Sequence, residues 1–196
     1  MKIAEAILGV LTIAGFSRVA RANDDTSSVP DNSPRFLARF SAKAEGGLDY
    51  RVLYGSHVIG GDVSAAAGVE LRPGAIYLAA DVMLGETAYG LFTSDWRLTP
   101  SWEFRYQRVR VALGPSLSYM QITRITSPDH PFHTAGLGLF GQASFDLVQR
   151  DRARGGRPTP PSAIYAALRF NLDVLQSDDD GAPLFYGPSI AAGFRY

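Results

Sequence analysis

Cysteine is absent from this 196-residue chain, which removes disulfides, thiol nucleophiles and thiolate-bound metals from consideration. An excess of one charge is lacking as well. With 19 Lys and Arg against 19 Asp and Glu the formal charge is +0, so there is no basic footprint for a nucleic acid. Nor is there a run of the ~18 uninterrupted apolar residues that a membrane-spanning helix requires, although 46% of the residues are hydrophobic. The apolar residues must follow a shorter period.

At the N-terminus, Lys2, the apolar stretch Ala6 to Phe16 and the small-x-small triplet Ala20-Arg21-Ala22 have the three parts of a secretory signal. Residues 1–22 are expected to be removed after Ala22, leaving a slightly acidic exported chain of 16 cations and 18 anions. Residues 23–34, with Asp24, Asp25, Pro30, Asp31 and Pro34, read as a flexible periplasmic lead-in. The remaining residues, 35–196, carry the fold.

Alternation organises that fold. From Trp96 to Tyr106 one face reads Trp96, Leu98, Pro100, Trp102, Phe104 and Tyr106, and the other reads Arg97, Thr99, Ser101, Glu103 and Arg105. A period of two belongs to a β-strand. A membrane-crossing strand takes about 9–11 residues, and rings near its ends lie where lipid meets water. Trp96, Trp102, Phe104, Tyr106 and, on the last strand, Phe194 are the expected lipid-boundary aromatics. Further alternating stretches run over Phe36–Lys43, Asp62–Leu71, Ile76–Leu84, Val109–Tyr119, Ala135–Leu147, Ile164–Val174 and Ser189–Tyr196. Gly46 to Gly61 either prolongs the first strand through a glycine bulge or forms an outer loop.

Arg72-Pro73-Gly74 and Gln107-Arg108 read as tight turns, whereas Gly85–Asp95, Thr123–His133 and Gln176–Pro183 read as longer links. About eight strands with short and long links in alternation fit a closed antiparallel up-and-down transmembrane β-barrel with short periplasmic turns and longer outer loops. The long link Arg150–Pro161 breaks that alternation.

A soluble lipocalin-like barrel also alternates, with its apolar face inward. Three features assign the opposite sense. The polar face is rich in small residues (Gly68, Gly114, Gly136, Gly138, Ser116, Ser118, Ser144, Gly193), which suit a narrow lumen. Its charges have both signs: Arg39, Lys43, Arg97, Arg105, Arg169 and Arg195 can meet Asp62, Glu70, Asp81, Glu103, Asp146 and Asp173, as a buried charge network requires. Turning Arg97 and Arg105 to lipid instead would cost about 2–4 kcal/mol each at mid-membrane. An open sheet edge in hydrocarbon leaves backbone groups unpaired, so the sheet is expected to close. Pro100, Pro115 and Pro188 each lack a ladder donor and are expected at strand ends or bulges.

Strand number, alternating faces, link lengths and the closing pattern Ile190, Ala192, Phe194, Tyr196 together resemble the small bacterial outer-membrane barrels of the outer-membrane protein A and X type, and more loosely the W type. The resemblance covers Phe36 to Tyr196. It implies an outer-membrane location, and Ile190, Phe194 and Tyr196 as a C-terminal assembly signal read by the barrel-assembly machinery. That family ends more often in Phe than in Tyr.

Other residues invite chemistry. His130 and His133 beside Asp129 have the donor types of a zinc site, but Pro131 breaks their spacing. Asp178-Asp179-Asp180-Gly181 could hold calcium or bridge to lipopolysaccharide phosphates, yet it lacks the alternate spacing and distal Glu of a calcium loop. Arg150, Arg152, Arg154 and Arg157 make either a solvated linker or a contact for anionic headgroups, cell wall or a partner. His57, His130 and His133 all fall in predicted links, so no outer-wall strand offers a base for a serine nucleophile. Neither catalysis, cofactor nor metal is expected. The expected role is a structural or surface-binding module, its lumen filled by charged and small polar side chains. Its loops, with Tyr50, Tyr54, Tyr89, Phe92, Phe132 and Phe185, would meet lipopolysaccharide or another extracellular ligand. A narrow or gated channel for small solutes is the alternative.

Overall fold

The computed structural model describes residues 39–71, 74–124, 127–154, 157–176 and 182–196, and their side chains except at 39, 127–130, 150–154 and 157–161. The signal segment, the lead-in and the Asp178–Gly181 turn lie outside the described residues, as do the side chains of Arg39, Asp129, His130, Arg150, Arg152, Arg154 and Arg157; the backbone of these last four belongs to paired strands and not to the long link expected over Arg150–Pro161.

Alternating residues set the strands, and their pairing closes the sheet. The strands are β1 (Arg39–Leu53), β2 (Ser56–Leu71), β3 (Gly74–Thr87), β4 (Leu91–Tyr106), β5 (Val109–Arg124), β6 (Ser127–Arg154), β7 (Arg157–Leu175) and β8 (Leu184–Arg195). Each pairs antiparallel with its sequence neighbours, and β8 returns to β1, giving a closed eight-stranded up-and-down barrel. Tyr196 seals the seam at its end: its N–H donates to the Ala42 carbonyl at 2.9 Å, and its own carbonyl accepts from the Ala42 N–H at 3.0 Å. Around the closed part of the barrel every described strand is thus paired on both sides, and only the ends of the longer β6–β7 hairpin run past their other neighbours.

The links are shorter than alternation in the sequence suggested. Gly46 to Gly61 is neither a bulge nor a loop. β1 continues unbroken to Leu53, and Tyr54 and Gly55, with φ of 50° and 75°, turn the chain straight into β2. Two consecutive positive φ values form the hairpin turn whose twist matches its strands. Most of Gly85–Asp95 and Thr123–His133 is likewise strand. Long hairpins, not long loops, carry the chain to the end of the barrel remote from the termini, here termed the far end.

The prolines also depart from expectation, for they lie inside strands without bulges. The β4–β5 ladder pairs Leu98 with Leu117 and Trp102 with Leu113, so Pro100 and Pro115 stand opposite one another in the gap. Two residues that cannot donate thus share a single interruption. Pro188 follows the same logic, opposite Tyr50 in a gap of the β1–β8 ladder between Asp49–Ser189 and Val52–Tyr186.

The barrel is polar inside and apolar outside. On β3, Ile76, Leu78, Ala80, Val82 and Leu84 point outward, whereas Tyr77, Met83 and Thr87 are buried in the lumen. An outward run of nine positions covers ~30 Å of strand, or ~23 Å along the axis at a tilt of ~40°. That is the height of the apolar band of a membrane barrel, ~25 Å.

Candidate functional site: a filled and divided lumen

Large lumenal side chains need space, and glycine on the adjoining strand provides it. Gly193 pairs with Tyr165, Gly68 with Tyr77, Gly47 with Asp62 and Gly138 with Asp173. A Cβ at Gly193 would come within 2.8 Å of the Tyr165 hydroxyl, and one at Gly68 within 2.6 Å of the Tyr77 ring. Each bulky residue leans over a neighbour with no side chain.

The charges so placed form two groups that share no ion pair among the described residues. Nearer the termini, Glu103 binds Lys43 and accepts from Arg110 at 2.8 Å, Arg195 binds Asp146 at 2.8 Å, and Arg110 also lies 3.8 Å from both Glu70 and Asp146. The Lys43 ammonium sits 3.8 Å above the Tyr77 ring. Farther along, Arg169 meets Asp62, with Asp81 at 3.5 Å and Glu45 at 3.6 Å. Arg97 binds Asp95 at 2.7 Å and Asp173 at 2.6 Å, and Arg51 binds Asp49 at 2.6 Å. Neutral donors serve part of this second group: Tyr165 and Gln142 donate to Glu45, and Ser116 to Asp173. A buried ion pair is secure only when its remaining lone pairs are also occupied.

Beyond the second group the lumen turns apolar. Leu53, Val58, Met83, Met120, Leu175 and Phe185 pack together at the far end, all 5% exposed or less. A cavity of about 10 Å³ lies among the Asp and Arg side chains of the second group, with Met83 of the cap also in its lining. A volume of ~10–15 Å³ admits one water.

Of the residues expected in the network, Lys43, Asp62, Glu70, Asp81, Arg97, Glu103, Asp146, Arg169, Asp173 and Arg195 are thus inside and paired. Arg105 is not. It is exposed at the near mouth, makes no ion pair among the described residues, and donates from Nε to the Gln107 carbonyl at 3.3 Å. The parity of β4 aims it inward, but the barrel ends before it. The network also includes Arg110, on the polar face of β5, and four residues outside the expected set: Glu45, Asp49, Arg51 and Asp95. Continuing the parity of Lys43 through Gly46-Gly47 finds the first three, and stepping back two from Arg97 finds Asp95.

Outside, Trp96, Trp102, Phe104, Tyr106 and Phe194 are 41–75% exposed, as are Ile190 and Tyr196 of the closing strand. Trp102 and Phe104 lie with ring centroids 5.9 Å apart. Phe185 was expected in an outer loop; it is fully buried in the cap instead. The histidines need a second correction. His57 and His133 lie on β2 and β6 and face outward, each with Nδ1 hydrogen-bonded to a tyrosine hydroxyl, Tyr50 at 2.5 Å and Tyr119 at 2.9 Å, on stacked rings. The partners are tyrosines, not a serine nucleophile. No group of three His, Cys, Asp or Glu among the described residues has the geometry to hold a metal ion.

No protein-family model matches the chain, and no curated protein matches it. Among solved structures, the crystal structure of Neisserial surface protein A (NspA) aligns over 81% of this chain and 97% of that one, with a TM-score of 0.51 at 17% sequence identity. At that identity the likeness is one of fold. The chain has the eight-stranded closed barrel of small bacterial outer-membrane proteins.

Proposed function

We propose that this protein is an integral outer-membrane barrel that serves as a sealed anchor and presents the far-end hairpins at the cell surface. One observation carries the reading: charged side chains are paired inside a filled tube whose outer wall is apolar. Such a wall is stable only against hydrocarbon, and such a lumen passes no solute. Tyr54 and Tyr89, at the hairpin tips, are 64% and 82% exposed, and large rigid rings with a polar tip suit recognition of a ligand or of lipopolysaccharide. The N-terminal segment supplies export, and the barrel-assembly machinery inserts the chain through its closing strand.

Cell fractionation combined with gel mobility in SDS before and after boiling tests location and fold together. The expected result is a heat-modifiable band in the outer-membrane fraction; one unshifted band in the soluble periplasm overturns it. Planar-bilayer recording of the purified barrel tests the seal. Silence is expected, and steady unitary openings would make the protein a channel.

A further inference from the structure

The two charge groups differ in balance. Near the termini, Lys43, Arg110 and Arg195 face Glu70, Glu103 and Asp146, three against three. In the far group Arg51, Arg97 and Arg169 face Glu45, Asp49, Asp62, Asp81, Asp95 and Asp173, three against six. These come from β1, β2, β3, β4 and β7. The lumenal residues packed against them from β5, β6 and β8 include Ser116, Gln142 and Ser189, which carry no charge. Three negative charges are thus in excess, walled by an apolar exterior, the apolar cap and a neutral ion-pair layer. Uncompensated charge in such a medium is prohibitive.

The hydrogen bonding singles out where compensation belongs. Asp62, Asp81 and Asp95 each use one carboxylate oxygen on an arginine. The other oxygen of each is buried without a protein partner, as is the Asn171 side-chain oxygen, and all four residues line the small cavity, where Arg51 Nη1, Arg97 Nε and Arg169 Nε also lack a hydrogen-bond partner. Asp95 is 1% exposed and Asn171 3%. No group of ligating side chains among the described residues is placed to hold a metal ion, which leaves protons as the compensating charge.

We propose that this chamber takes up protons on the free oxygens of Asp62, Asp81 and Asp95, beside the free side-chain oxygen of Asn171. The site makes folding of the barrel depend on protons taken from the medium. The inference rests on the closed barrel of the proposed function but not on its membrane location or its silence in bilayers, so each can fail separately.

The test is the urea unfolding midpoint of the full barrel in zwitterionic micelles, for the wild type and Asp95→Asn, with Asp81→Asn as the second variant should the first not fold. In one arm pH is lowered from about 8 to about 5 at constant ionic strength set by choline chloride. In the other, NaCl or KCl replaces choline chloride at fixed pH. A midpoint that rises as pH falls, with a smaller rise in the variant, identifies protons. A midpoint that rises with Na⁺ or K⁺ over choline, with the rise lost in the variant, overturns the proposal in favour of an alkali ion. Wild type and variant responding alike to pH, or neither responding, overturns it as well.

Discussion

Two charged side chains on the same face of one strand have opposite fates here, according to where the wall of the tube stops. Glu103 is 2% exposed and holds both Lys43 and Arg110. Glu103→Gln leaves these two cations under-compensated in the near layer, and removal of one partner from a buried set costs about 3–5 kcal/mol. Urea unfolding in lipid vesicles is expected to show that loss. Arg105, two residues on, is exposed and makes no ion pair among the described residues. Arg105→Ala should therefore change the same midpoint by no more than about 0.5 kcal/mol and should leave bilayer recordings silent. Sequence parity gives these two residues one role, because it records which way a side chain points and not whether any barrel remains around it.

Between neighbouring strands, pairing converts single residues into matched sets. Gly193 gives Tyr165 its place, and Gly193→Ala forces a methyl group against that ring and against the Ala44 carbonyl, 2.9 Å away. The expected loss is about 1–3 kcal/mol, as for an overpacked core. Combining it with Tyr165→Leu should cost less than the sum of the two changes, measured as a double-mutant cycle. The β4–β5 turn offers the opposite case. Gln107 has φ of 55°, a conformation that costs a residue with a Cβ roughly 1–2 kcal/mol. Gln107→Gly is expected to stabilise the hairpin by up to about 1 kcal/mol after its own backbone entropy is deducted, read from the same urea transition. The facing prolines Pro100 and Pro115 show why element-level expectation missed: each proline alone argues for a strand end, and only register reveals that their two missing donors coincide.

For the molecule as a whole, inside and outside are exchanged relative to a soluble barrel. Ala80 is central in the outward run of β3 and exposed. Ala80→Arg should cost about 2–4 kcal/mol if hydrocarbon surrounds it, and almost nothing if water does. Comparing the variant's unfolding midpoint in vesicles with that of the wild type decides between the two. The apolar outer wall and the paired interior are the physical reasons to expect the larger cost.

Strand number, the direction each side chain faces and the polar character of the lumen were all determined by the order of residues, because a β-strand presents successive side chains to opposite faces whatever it packs against. Trp96 to Tyr106 states that rule within a single segment. Tertiary structure alone decided which charges pair. Arg97 meets Asp173 and Lys43 meets Glu103 across 76 and 60 residues of chain, and such distances are closed only by register and tilt. It also decided that the carboxylate excess gathers in the far half beneath an apolar cap, since the height of a residue in a tilted barrel is set by its neighbours' ladders and not by its place in the sequence.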